Sequence, residues 1–312
     1  MWSWIKNLLE TFFRPPVLPD PEPPTPPAKP QPVISEEKEE EKIAEKEEVD
    51  WKKWAKDAAY ISSTYEGDGG DYANVVGNFD GAYLTCGLLG LTWKYGNQLE
   101  IIDQYLKKYG PNKLQKLMPK TGNEYLQAIN SGYTEGAEIV SSWSNGSANV
   151  RQPYRSELAA FWSSPEMVEL QDQKYDKMMG VFAKKKCLET QEYFDLPKPL
   201  FQHYAYWWDQ AVLNGTGKTI EFEEAKDLGA QTVLDFCKNV SGYNTKSMAL
   251  NYLLWKKQLE KSSLEERHLF KMAYLRALKS RNEFQGTTMM RRGTLALGKG
   301  YVNETLRTYD WG

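Results

Sequence analysis

Ten prolines stand between Pro15 and Pro32, in PPVLPDPEPPTPPAKPQP, and no regular element can be built through them. Proline has no N–H and a fixed φ, so it interrupts helices and ladders alike. A run this dense favours an extended polyproline II path, reaching on the order of 50 Å at ~3.1 Å per residue. It therefore divides the chain. Ahead of it, residues 1–14 (MWSWIKNLLETFFR) set Trp2, Ile5, Leu8, Leu9, Phe12 and Phe13 at helical spacing, which predicts a short amphipathic helix suited to a membrane surface or a partner protein. The segment lacks the apolar run and small-residue cleavage site of a signal peptide and is too short to span a bilayer. Residues 15–35 form the Pro-rich linker. Residues 36–49 are a charged extension, with eight Glu and three Lys between Glu36 and Glu48, a composition that reads as a solvated spacer. The folded body is expected over 50–312.

With 41% hydrophobic residues in 312, the chain can build a sizeable core. The extension carries a charge of -5 against a net -3 for the whole chain, so the body, at about +2, is close to neutral and has no basic surplus of the kind that nucleic-acid binding requires. Cys86, Cys187 and Cys237 are odd in number and form no C-x-x-C pair, which suggests reduced core cysteines rather than disulfides or a zinc knuckle. His203 and His268 are the only histidines, too few for a multi-His metal site. No metal or cofactor is expected, and the chemistry falls to carboxylates.

The body reads as mainly α. Trp51, Trp54, Ala58, Ile61 and Tyr65 line one face of a first helix that Asp50 can cap, and Glu66 lies at its C-terminal end. Residues 67–82, rich in Gly, Asp and Asn, predict an irregular or small β segment. A second helix is expected from about Thr85 through CGLLGLTWKYGNQLEIIDQYLKKYG, and helical periodicity returns near 124–130, 155–185, 200–213, 222–239, 246–261 and 263–281.

Glu66 and Asp80 can form the pair of carboxyls that a glycosidase without metal or cofactor needs, one to protonate the leaving oxygen and one to act as nucleophile or to activate water. Glu66, following Tyr65 on an aromatic-faced helix, is expected in a partly desolvated setting. Asp80, in a Gly- and Asn-rich loop, is expected in a hydrated one. Spacing alone says little, because a Glu and an Asp fourteen positions apart arise constantly by chance.

The residues after Asp80 say more. D-G-A-Y-L-T-C-G-L-L-G-L, Asp80 to Leu91, resembles the Asp-Gly-x-x-x-Thr-x-Gly signature, with its apolar tail, of the family 46 chitosanases in the lysozyme-like superfamily. Q-H-Y-A-Y-W-W-D-Q-A-V-L-N-G, Gln202 to Gly215, is similar to an aromatic helix of that family, and LQDQKYDKMM, Leu170 to Met179, resembles the Gln-Asp-rich helix upstream of it. The resemblance covers much of 50–240 in the right order. It implies a two-lobed, lysozyme-like domain over 50–312, with Glu66 as acid, Asp80 as the base of an inverting reaction, Thr85 helping to hold the attacking water, and Asp209 in an ion-pair network behind the cleft. The arginines of that network do not align, and Arg276 and Arg281 are guesses.

Two departures bear on substrate. The family recognises the amine of glucosamine with an Asp in a Gly-Asp-x-Leu-Glu context, where this chain reads G-N-Q-L-E and carries Asn97. The signature's basic residue two after the Asp is Ala82 here. An amide cannot compensate an ammonium but can both donate to and accept from an N-acetyl group. The expected substrate is therefore an N-acetylated aminosugar polymer, peptidoglycan first, cut at β-1,4 bonds by a monomeric enzyme acting on the cell wall. The alternatives are a chitosanase of altered subsite and an inactive wall-binding or structural module. Three other features read as structure. NGTGKT, Asn214 to Thr219, has Val212 where a phosphate loop needs its first Gly; DGGDYANVVGNFD lacks calcium-loop spacing; and Trp143, Trp162, Trp207 and Trp208 read as core before sugar platforms.

Overall fold

The structure is a computed structural model and describes residues 49–66, 70–217 and 219–311. The helix expected over 1–14, the linker 15–35 and the extension 36–49, save its last residue, lie outside the described residues.

Helix α1 (Trp51–Ser63) opens the body. It turns Ala55, Ala58 and Ala59 fully inward, while Trp51 and Trp54 pack on Tyr204 with ring centroids 5.7 and 5.8 Å apart. Three two-residue strands follow, β1 (Val75–Val76), β2 (Thr85–Cys86) and β3 (Leu91–Thr92), antiparallel in the order β1-β2-β3. Thr85 stands opposite Val76 on one side and Thr92 on the other. The second helix expected from Thr85 is thus a sheet at first and becomes helix only at α2 (Asn97–Tyr109). The reason is backbone chirality: Gly87, Gly90 and Gly96 hold φ at 83°, 69° and 73°, where L-residues with side chains are strained. At Gly87 a Cβ would also collide with the Gln171 amide, whose Oε1 accepts from Leu88 N at 3.1 Å.

Helices α3 (Pro111–Leu117), α4 (Gly122–Asn130), α5 (Tyr133–Ser142), α6 (Tyr154–Trp162) and α7 (Pro165–Tyr175) complete a first group around the small sheet. From α7 the chain continues through a π turn, Asp176–Gly180, into α8 (Val181–Tyr193). The second group holds α9 (Phe201–Asn214), α10 (Phe222–Lys226), α11 (Ala230–Asn239), α12 (Thr245–Gln258), α13 (Leu264–Leu278) and, after a 3-10 turn at Asn282–Phe284, α14 (Gln285–Leu297). A hairpin of β4 (Lys299–Val302) and β5 (Thr305–Thr308) ends it. The molecule is mainly α and two-lobed, with α1 packed against α7 of one group and α9 of the other.

Helices α9 and α14 form the centre of the second lobe. Nearly every residue of both is buried, so neither shows the one-sided apolar stripe of a surface helix. Their backbones and amides meet directly: Gln202 Nε2 donates to the carbonyls of Leu295 and Ala296 at 3.2 and 2.8 Å. Cys86, Cys187 and Cys237 are all free and buried, and Trp143, Trp162, Trp207 and Trp208 are fully inside, both as the sequence suggests.

Candidate active site

Glu66 leaves the end of α1 in a turn, its N–H donating to Ser63 O at 3.0 Å, and its carboxyl meets α14. Arg291 Nη1 donates to Glu66 Oε1 at 2.5 Å. The other edge of the same guanidinium is held by Asp209 of α9, through Nη2 to Oδ1 at 2.5 Å and Nε to Oδ2 at 3.3 Å. Asp209 is fully buried and the Arg291 side chain is 2% exposed, whereas that of Glu66 is 45% exposed. Burial works against the charge on Arg291, but Asp209 and then Glu66 outweigh it and raise its pKa further. The planar fork of arginine suits this task, since it can hold one carboxylate bidentately and still present an N–H to another. The guanidinium also lies 5.1 Å from the centre of the Tyr65 ring. Tyr65 shares a 2.7 Å hydrogen bond with the hydroxyl of Tyr309. Burial, followed by Tyr309 and Asp209, pushes the Tyr65 phenol well up, with Arg291 opposing.

The partly desolvated setting expected for Glu66 comes here from an arginine rather than from an aromatic face. Because the chain has already left the helix at Thr64, the carboxyl faces half into solvent and half onto Arg291. The guessed arginines are also corrected, since Arg291 is the ion-pair partner of Asp209. Arg276 is buried near Tyr206, and burial lowers its pKa, while Arg281 is exposed. Arg292, next in sequence, turns to Gln210 Oε1 at 3.0 Å and to Asn214 Oδ1. Burial brings it down to about 10, still protonated at neutral pH.

Asp80 occupies the loop before β2, half-buried, with Oδ1 accepting from Ala82 N at 3.0 Å. The loop is anchored by the buried Ala82 and Leu84, whose carbonyls accept from Lys94 N and Trp93 N at 3.3 and 2.8 Å. Tyr83 takes φ 69°, a left-handed conformation that costs a non-glycine residue about 1–2 kcal/mol. Its N–H donates to Asn78 Oδ1 at 3.0 Å, and Asn78 is fixed in turn by Ser144 Oγ at 3.0 Å and Ser141 Oγ at 3.3 Å. Thr85 is half-buried on β2. Asn97, the first residue of α2, accepts from Thr92 N with Oδ1 at 2.7 Å, so its amide ties β3 to the helix. Its Nδ2 and a second lone pair on Oδ1 are what remain for recognition.

The structure thus joins Glu66 to Asp209, sets Thr85 and Asn97 on or beside one small sheet, and places Asp80 in the loop that feeds it. Sequence reasoning missed Arg291. A signal was available: between Gln285 and Gly298, Arg291 and Arg292 are the only charges in an otherwise neutral run, and a buried arginine calls for a buried anion. A separate cavity of about 370 Å³ lies along α1 and α7, walled by Lys52, Lys56, Asp172 and Asp176; none of the expected site residues lines it. Among the described residues no group of His, Cys, Asp and Glu could hold a metal ion, and no helix is long and apolar enough to cross a membrane.

The chain matches no protein-family model and no curated protein. Among solved structures it is similar to the GH46 chitosanase of Gynuella sunshinyii in complex with chitotetraose, at 14% identity and a TM-score of 0.43, covering 84% of this chain and 98% of that one. It is also similar to the native chitosanase of Bacillus subtilis MY002, at 17% identity and a TM-score of 0.41, covering 82% and 98%. A mutant of the latter complexed with 6 GlcN gives 16%, 0.41, 83% and 99%.

Proposed function

We propose that residues 50–312 form a glycoside hydrolase that cleaves β-1,4 bonds of an N-acetylated aminosugar polymer, with peptidoglycan as substrate, by an inverting two-carboxylate reaction. The observation that carries this reading is the chain Glu66–Arg291–Asp209, in which two motifs far apart in sequence meet on one guanidinium. A carboxyl held this way has a fixed direction and an open face, as a group that must exchange a proton with substrate requires. In this reading Glu66 protonates the leaving oxygen, Asp80 takes a proton from the attacking water, and Thr85 helps to hold that water. The fixed Asx turn at Asp80 keeps one carboxylate oxygen occupied and leaves the other for the water. Arg291 positions Glu66 and does not itself touch the scissile bond.

Chitosan is the second reading, and one observation favours it. Asn97 spends an acceptor on Thr92 N, which gives the amide a structural duty and weakens its claim as the N-acetyl selector. The two polymers are separated by measuring reducing ends released from peptidoglycan and from chitosan by the wild type, Glu66→Gln and Asn97→Asp. Glu66→Gln should lower turnover by roughly 10²-fold to 10⁴-fold, the usual contribution of a general acid. Asn97→Asp should move the rate ratio about tenfold toward chitosan, the worth of a charge-assisted hydrogen bond to an ammonium. Near-normal turnover in Glu66→Gln removes Glu66 from the mechanism, and a wild type that prefers chitosan removes peptidoglycan.

A further inference from the structure

Three tyrosines on or near the Asp80 loop take no part in the ion network; Tyr83 packs on the core with part of its ring, while Tyr95 and Tyr133 are not among the residues packed against it. Tyr83 follows Asp80 by three residues, Tyr95 lies between β3 and α2, and Tyr133 is the first residue of α5. The rings of Tyr83 and Tyr133 meet edge to face, centroids 6.3 Å apart at 76°. Tyr133 donates its hydroxyl to Lys94 O at 2.7 Å, which locks that ring, yet the residue remains 45% exposed. Burial and then the Asp80 carboxylate push the Tyr95 phenol up, so Tyr95 lies within electrostatic reach of that charge; burial, followed by Tyr83 and Tyr95, pushes the Tyr133 phenol up. The strained backbone of Tyr83 is held by two layers of hydrogen bonds through Asn78, and strain retained in this way belongs to positions where the direction of a side chain matters.

We infer that Tyr83 and Tyr133 form a stacking platform for a pyranose ring of the polysaccharide, beside the water-activating carboxylate. The inference rests on the proposed glycosidase reading and adds to it a binding subsite. A locked tyrosine ring offers a flat apolar face to the axial C–H groups of a β-linked sugar and a hydroxyl to its polar rim, at little cost in side-chain entropy. The platform is uncharged, so it takes an N-acetylated ring without the desolvation cost that an ammonium would bring. Two edge-to-face rings also make a corner, which fixes the orientation of the sugar around its axis.

The test is calorimetric titration of the full chain carrying Glu66→Gln, to suppress turnover, with the β-1,4-linked tetramer of N-acetylglucosamine. On that background Tyr83→Gly, which also relieves the φ of 69°, and Tyr133→Ala should each weaken binding about tenfold or more, while Tyr83→Phe should stay within about twofold. Melting temperatures near that of the parent confirm that the variants fold. Folded variants that bind like the parent overturn the platform, as does a parent that fails to bind the tetramer at millimolar concentration. Unchanged binding together with a loss of self-association in sedimentation overturns it too, and makes the surface a contact between copies. Hydrolysis is read separately: tetramer binding that needs the tyrosines in a wild type that cleaves nothing leaves the platform standing and sinks the hydrolase, and the converse result does the opposite.

Discussion

Asp209 and Arg291 are a buried pair whose worth depends on how it is disturbed. Asp209→Ala leaves a guanidinium inside the second lobe with only the half-exposed Glu66 to face it, and breaking a buried pair from one side costs about 3–5 kcal/mol. Replacing both partners with apolar side chains of similar size, Asp209→Leu with Arg291→Met, should recover most of that loss in urea denaturation, because the desolvation cost leaves with the charges. The double variant should still be inactive, since nothing then directs Glu66. Stability lost equally in the single and double variants would mean that the pair does not set the energetics of the centre. Asp209 was legible only because the contiguous helix around it, Gln202 to Gly215, resembles a known motif. Arg291 was not, because an ion pair 82 residues apart is a fact of packing and leaves no local pattern.

Helix α14 escaped the sequence reading for a related reason. Periodicity detects helices that bury one face, and α14 buries all of them, with glycines and threonines where a stripe would be. The same rule misled in the other direction after Thr85, where apolar spacing suggested helix and three left-handed glycines produced a sheet. The α1, α9, α12 and α13 segments, each matching a periodic run to within a few residues, were readable because tertiary contacts agree with local pattern there. Gly293 tests how tightly α14 is fitted. A Cβ at this position would sit 2.6 Å from the Trp255 ring, and Trp255 is itself fixed by a 2.8 Å bond from Nε1 to Lys299 O. Gly293→Ala gains up to about 1 kcal/mol of helix propensity and loses about 1–3 kcal/mol or more to overpacking, so the overpacking should win. The melting temperature should fall by several degrees; a rise would show that the indole yields without cost.

Acid tolerance depends on the interior of the second lobe as a unit. His203 lies on α9, fully buried, and neither ring nitrogen has a hydrogen-bond partner among the described residues. Burial holds its pKa down to about 4 from an ordinary 6.5, with Glu265 pulling partly the other way. The unfolded chain therefore binds this proton near pH 6.5 while the folded molecule refuses it until about pH 4. Between those values the unfolded state carries the extra proton, so stability is complete above about pH 6.5, declines as the pH falls and has nothing more to lose from this group below about pH 4. The gap corresponds to about 3 kcal/mol. His268 contributes in the same direction but keeps a 2.8 Å bond to Phe222 O, and the carboxylates contribute to the acid limb of any variant. The informative quantity is thus the difference between two curves. Urea denaturation of the wild type and His203→Leu, followed from pH 8 to pH 4, should show the variant losing less stability across the window by about 3 kcal/mol, whatever its stability at pH 8. Curves that run parallel from pH 6.5 to pH 4 would mean that the folded interior accepts the proton as readily as water does, and that α9 is not the closed centre its burial describes.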